Sequence, residues 1–223
     1  MKKIFKRVSA AVMALAVAAT AVVFDVSEVK ADDFNGATPM ENVHMHKVCA
    51  GLDNCPDPNH ASHEVINDWQ PISSASSFSS LTDGGHYYLN NSDGSIKLSS
   101  EVTITNNITL CLNGQTLTAA DNNRIFKVDG GSLTLCDCKG GGKLTGGNPT
   151  VTRTDGGAVM VSSGTFTMYG GTITKNNSSQ FGGGVRVTSQ STFIMYGGTI
   201  SDNTTEQDSG GGVSVFHQGD SGK

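Results

Sequence analysis

From Asp83 onward the chain alternates apolar and polar residues in short runs, each ended by Gly, Ser or Asn. Apolar residues fall at i and i+2, as in Val159/Val161 and Phe166/Met168, which is the period of a strand and not of a helix. The pattern also returns. The segment Gly164 to Asn176 reappears 27 residues later as Ser191 to Asn203, sharing Phe-x-Met-Tyr-Gly-Gly-Thr-Ile-x-x-Asn. Looser copies lie upstream, and together they align apolar columns. One column is Val102, Phe126, Val159, Val185 and Val213; a second is Ile104, Val128, Val161, Val187 and Val215. A third joins Leu110, Leu133, Phe166 and Phe193, and a fourth joins Leu112, Leu135, Met168 and Met195. The last is Leu117, Leu144, Ile173 and Ile200.

Three short strands per repeat, joined by turns, make one coil with its apolar residues turned inward. A single coil buries too little to order itself, so stability must come from stacking neighbours that pair in parallel above and below. The pattern therefore predicts an all-β chain: a right-handed parallel β-helix of three strands and about 27 residues per coil. Its decisive expectation is that Phe166 and Phe193 pack on one another in a continuous interior column. Four coils and the start of a fifth, Val213 to Phe216, are legible, and the solenoid is expected to continue beyond residue 223.

The residues ahead of the repeats divide into three pieces. Lys2, Lys3, Lys6 and Arg7 precede an apolar run from Val8 to Phe24, and Val29-Lys30-Ala31 offers a small-residue cleavage site, so residues 1–31 are predicted to be a signal peptide. Residues 32–70 form an irregular His/Cys-rich segment, and residues 71–82 are a Ser-rich stretch expected to act as a linker. Residues 83–223 carry the repeats. The chain is acidic overall at −5, and removing the leader takes five basic and two acidic residues, leaving −8. That charge excludes a nucleic-acid binder relying on phosphate contacts. With no second apolar span in the mature chain, the expected location is secreted or at the cell surface.

The Gly-Gly-Thr-Ile-x-x-Asn and Gly-Gly-Gly-Val signatures, Gly170 to Asn176 and Gly182 to Val185, resemble those of right-handed β-helix, pectin-lyase-like surface proteins of Gram-positive gut and rumen bacteria. Leu110-Cys111-Leu112-Asn113-Gly114, Leu133-Thr134-Leu135-Cys136-Asp137-Cys138 and the His/Cys-rich leader add to the likeness. The resemblance implies an adhesin-like or glycan-binding role more than an activity, because fold alone does not fix function.

Chemistry-bearing residues are few. His44, His46, Cys49, Cys55, His60 and His63 can close a structural zinc site, with a Cys49–Cys55 disulfide as an equal reading for an exported chain. Cys111 and Cys136 are expected to face outward on adjacent coils, offset by two residues and so diagonal, with Cys138 just beyond the strand. Tyr169 and Tyr196 stack beside Asn113 and Cys136 as an aromatic strip able to underlie a sugar ring, or simply as a stabilising ladder. Arg186 joins them as a ligand-binding candidate. Asn176 and Asn203 share one turn and are expected to form a ladder that satisfies backbone groups. Thr116/Thr118, Lys143/Thr145, Thr172/Thr174 and Thr199/Ser201 align hydroxyls in two outward files, a lattice of the kind that binds ice. A lyase or glycosidase would need paired acids on one face. Asp155, Asp202, Lys175, Arg153 and Arg186 are the charged candidates, and no two acids face each other. The expected function is thus a non-catalytic, exported solenoid for display or adhesion, with a polysaccharide lyase or glycoside hydrolase as the alternative and ice binding as a minor one.

Overall fold

A computed structural model describes residues 68–150, 155–206 and 210–216, all within one compact unit, His44–Lys223. The signal peptide, most of the His/Cys-rich segment and the six candidate metal ligands lie outside the described residues.

The chain winds as a parallel β-solenoid of about five turns and about 27 residues per turn. It opens with β1 (Gln70–Ile72), a short 3-10 helix (Ala75–Ser80), β2 (Gly85–Leu89) and β3 (Ser95–Lys97). The next coil holds β4 (Val102–Ile104), β5 (Asn107–Cys111) and β6 (Thr116–Thr118). In the third and fourth, the first two strands run together as β7 (Phe126–Cys136) and β9 (Val159–Met168), followed by β8 (Lys143–Thr145) and β10 (Thr172–Thr174). Beyond them come β11 (Asn177–Ser178), β12 (Val185–Val187), β13 (Ser191–Met195), β14 (Thr199–Ser201), β15 (Thr204–Thr205) and β16 (Val213–Val215).

Every described pairing is parallel, and like strands stack on like. One face runs β4, the start of β7, the start of β9, β12 and β16. A second runs β1, β2, β5, the end of β7, the end of β9 and β13. The third is the five-stranded sheet β3-β6-β8-β10-β14. The interior is one apolar pillar, in which Leu110, Leu117, Phe126, Leu133, Leu135, Leu144, Phe166, Met168 and Ile173 are fully buried. Phe166 and Phe193 stack with ring centroids 5.1 Å apart and planes 15° from parallel.

Three expectations need correction. First, the column on the second face is Ile108, Leu133, Phe166 and Phe193, and its neighbour is Leu110, Leu135, Met168 and Met195. The alignment through Leu110 and Leu112 slips by two residues because the corner between Ile104 and Ile108 is shorter than the one between Val187 and Phe193. Strands keep register while corners vary. Second, Cys111 therefore lies directly opposite Cys136, not diagonal to it, and both are buried. Third, residues 71–82 are no linker. Ile72 and Phe78 are buried, Ala75 and Leu81 pack on the core, and the Phe78 ring lies 6.3 Å from that of Phe126. Serines contribute little burial, but four apolar residues among them are enough to seat the segment against the pillar.

The Gly-Gly-Gly signature has a steric cause. Gly156, Gly182 and Gly210 hold φ of 68°, 64° and 87°, the left-handed region that favours glycine. Beside them, a Cβ on Gly183 would strike the carbonyl oxygens of Thr204 and Gly211, so the coils approach closely only because that position has no side chain.

Candidate functional site

Because side chains alternate along a strand, each face presents outward columns as regular as its inward ones. On the second face one column is Asn107, Ser132, Thr165 and Thr192, and the next is His86, Thr109, Thr134, Thr167 and Ile194. A third joins Tyr88, Cys111 and Cys136, and Tyr169 follows on, its N–H donating to Leu135 O at 2.8 Å. Tyr169 and Tyr196 stack with centroids 5.0 Å apart and planes 23° from parallel, each half-buried. The two-residue slip exchanges their neighbour: Cys111, not Asn113, belongs to this column. Asn113 instead turns inward at φ 53° and donates from Nδ2 to Leu89 O at 2.8 Å.

Trp69 extends the aromatic character of this face at its other end. Its ring centroid lies 5.4 Å from that of His86, which heads the threonine column, and His86 Nδ1 sits 3.2 Å from Asp68 Oδ1. Neither residue stands out in the sequence, since Trp69 precedes the recognisable repeats. Only the pairing of β1 with β2 puts it on this face.

Arg186 is not exposed. It is 6% accessible, with Nη1 donating to Ser214 Oγ at 2.6 Å and Nε 3.5 Å from Asp155 Oδ2. Its guanidinium lies 4.5 Å from the Phe181 ring centroid and 5.5 Å from that of Phe216. It projects outward from β12 as alternation requires, yet the Phe181 turn and Phe216 fold over it. Other charges are also paired: Arg124 with Glu101 at 2.6 Å, Lys97 with Asp121 at 2.9 Å and Lys127 with Asp129 at 2.7 Å. The Lys127 ammonium, followed by the Ser162 hydroxyl, holds the Asp129 carboxyl below its ordinary range.

Lys175 and Asp202 occupy equivalent left-handed turn positions, with φ of 55° and 53°, and the Lys175 N–H donates to Asp202 O at 3.1 Å. Each leads into the expected asparagine ladder. Asn176 Nδ2 donates to Asn203 Oδ1 at 2.9 Å, its Oδ1 accepts from Gly147 N–H at 2.9 Å, and Asn203 Nδ2 donates to Ile173 O at 2.8 Å. Arg153 lies outside the described residues.

The third face carries the two hydroxyl files in register, Ser95, Thr116, Lys143, Thr172 and Thr199 beside Lys97, Thr118, Thr145, Thr174 and Ser201. Lys143 interrupts the first file, Lys97 stands at the end of the second, and Thr174 is buried. Among the described residues no group of three or more His, Cys, Asp or Glu is placed to hold a metal, and no helix is long and apolar enough to cross a membrane. Comparison of the chain with known protein families, with characterised proteins and with solved structures finds no match.

Proposed function

We propose that this chain is an exported, non-catalytic β-solenoid of the pectin-lyase-like surface type, which displays a rigid face for adhesion to extracellular or cell-surface glycans. The observation that carries the reading is the second face: hydroxyl and amide columns in register over several coils, bordered by Trp69, Tyr88, Tyr169 and Tyr196. Sugars present hydroxyls on their edges and C–H bonds on their faces, so files of Ser, Thr and Asn beside aromatic rings suit them on both counts. A backbone paired on both sides also binds without ordering itself first, which spares the entropy a loop site would lose. This face suits a polymeric ligand better than the third face suits ice, because Lys143 breaks the flat hydroxyl lattice there and Lys97 ends it.

The test is binding of the full chain to immobilised pectin-like and mucin-like polysaccharides, wild type against Tyr169→Ala, Tyr196→Ala and Trp69→Ala. The expected result is retention by at least one polymer class, weakened about tenfold or more by an aromatic substitution, as the loss of one good stacking contact implies. Shortening of the polymer, abolished by Asp202→Ala or Lys175→Ala, would replace this reading with the polysaccharide lyase or hydrolase. Retention unchanged in all three variants would remove the face from consideration.

A further inference from the structure

The tyrosine column is interrupted on two coils by sulfur. Cys111 and Cys136 sit opposite one another at the ends of β5 and β7, and the chain then turns through residues 137–142 before β8. Asp137 builds that turn: Oδ1 accepts from Gly114 N–H at 2.7 Å and Oδ2 from Gly142 N–H at 2.7 Å. The result is that Cys138 stands over Cys111, with Sγ–Sγ 3.1 Å and the Cys138 N–H donating to Cys111 Sγ at 3.4 Å. All three side chains carry thiols.

We propose that Cys111 and Cys138 are an oxidation site, forming a disulfide that fastens the 137–142 turn to the preceding coil and leaves Cys136 as a buried thiol. Two features choose Cys138 over Cys136 as the partner. Cys136 is held in the ladder, its carbonyl accepting from Leu112 N–H at 2.8 Å, and it is 1% exposed. Cys138 belongs to a turn outside the strands, is partly exposed, and needs a shift of only about 1 Å to reach bonding distance.

The chemistry is thiol–disulfide exchange with a low-molecular-weight disulfide of the glutathione class. The Cys138 thiolate attacks that disulfide, forming a mixed disulfide and expelling one small thiolate, which takes up a proton. Cys111 then gives its proton to solvent, its sulfur attacks Cys138 Sγ, and the second small thiol leaves. Two protein thiols are oxidised by two electrons and the small disulfide is reduced to two thiols. The hydrogen bond with the Cys136 thiol and then burial, against the lowering effect of Cys138, push Cys111 up to about 12. The second step is therefore the slow one, and the partly exposed Cys138 is the entry point. Of the proposed function, only the oxidising surroundings of an exported chain bear on this site.

The experiment is incubation of the reduced full chain with oxidised glutathione, followed by denaturation, alkylation with iodoacetamide and peptide mapping. Cleavage before Asp137 separates Cys136 from Cys138. The expected product links the Cys111 and Cys138 peptides, with Cys136 alkylated, and raises the thermal midpoint by several degrees, reversibly with reductant. Cys136→Ser should leave the link in place, and Cys138→Ser should leave Cys111 open to alkylation. A Cys111–Cys136 link, glutathione retained on Cys138, or alkylation of all three cysteines would each overturn the proposal. None of these results depends on whether the chain binds a glycan.

Discussion

Asn176 is the residue whose removal tests the stacking account most directly. It is 1% exposed, and its amide reaches up and down the solenoid at once. Oδ1 accepts from Gly147 N–H at 2.9 Å, while Nδ2 donates to Leu144 O at 3.2 Å, Thr174 O at 3.0 Å and Asn203 Oδ1 at 2.9 Å. Asn176→Ala leaves the buried Gly147 N–H without its side-chain acceptor, a loss of about 1–3 kcal/mol for an orphaned buried donor. Weakened bonding at two carbonyls and a small void bring the expected cost to about 2–4 kcal/mol. Asn203→Ala should cost about 1 kcal/mol, because that side chain is only half-buried and water can replace part of it. Urea unfolding followed by far-UV circular dichroism is the assay; with a slope of roughly 2 kcal/mol per molar, the midpoint of Asn176→Ala should fall by about 1–2 M. Asn176→Asp is a sharper probe. It keeps an acceptor for Gly147 but sets a carboxylate against the Leu144 and Thr174 carbonyls and Asn203 Oδ1. It should therefore be less stable than the alanine variant at neutral pH and recover as pH falls toward about 4, where the acid is neutral. An unchanged midpoint for Asn176→Ala at unchanged slope, or Asn176→Asp as stable as wild type at neutral pH, would refute the ladder as a source of stability.

Other substitutions separate the remaining contributions. Phe166→Ala should lose about 3–5 kcal/mol in the same urea assay, and Phe193→Ala less, because only Phe166 is fully buried within the stack. Gly183→Ala forces a methyl into the backbone of the next coil at Thr204 and Gly211, so soluble folded protein should be sharply reduced, as judged by size-exclusion chromatography. Asp155→Ala should destabilise more than Arg186→Met: the first leaves a buried guanidinium without its counter-charge, whereas the second keeps an unbranched chain between Phe181 and Phe216. In the reduced protein, the raised Cys111 pKa means the folded state holds its proton when the unfolded state has lost it. That contribution to stability is whole below pH 9.0 and is lost as pH rises toward about 12, a decline that Cys111→Ala should flatten in a pH series of thermal midpoints.

The alternation of Val159/Val161 and Phe166/Met168, and its return at a fixed spacing, determined the solenoid, its three faces and most of its interior columns. The Asn176–Asn203 ladder was legible for the same reason: the turn that carries it has constant length in the two best repeats. Such features are local and periodic, so one dimension records them. What the tertiary structure decided lies where the period fails. A corner shortened between Ile104 and Ile108 slid Cys111 opposite Cys136, and no count along the chain reveals how tightly a corner closes. The serines around Phe78 hid a segment that seats one ring on the pillar, because composition averages over the few residues that are buried. Arg186 projects outward as alternation requires, but Phe181 and Phe216 fold over it from neighbouring turns, and Trp69 reaches the candidate binding face only through the pairing of β1 with β2. Whether an outward side chain meets solvent or another turn depends on chain segments remote in sequence, and only the folded molecule brings them together.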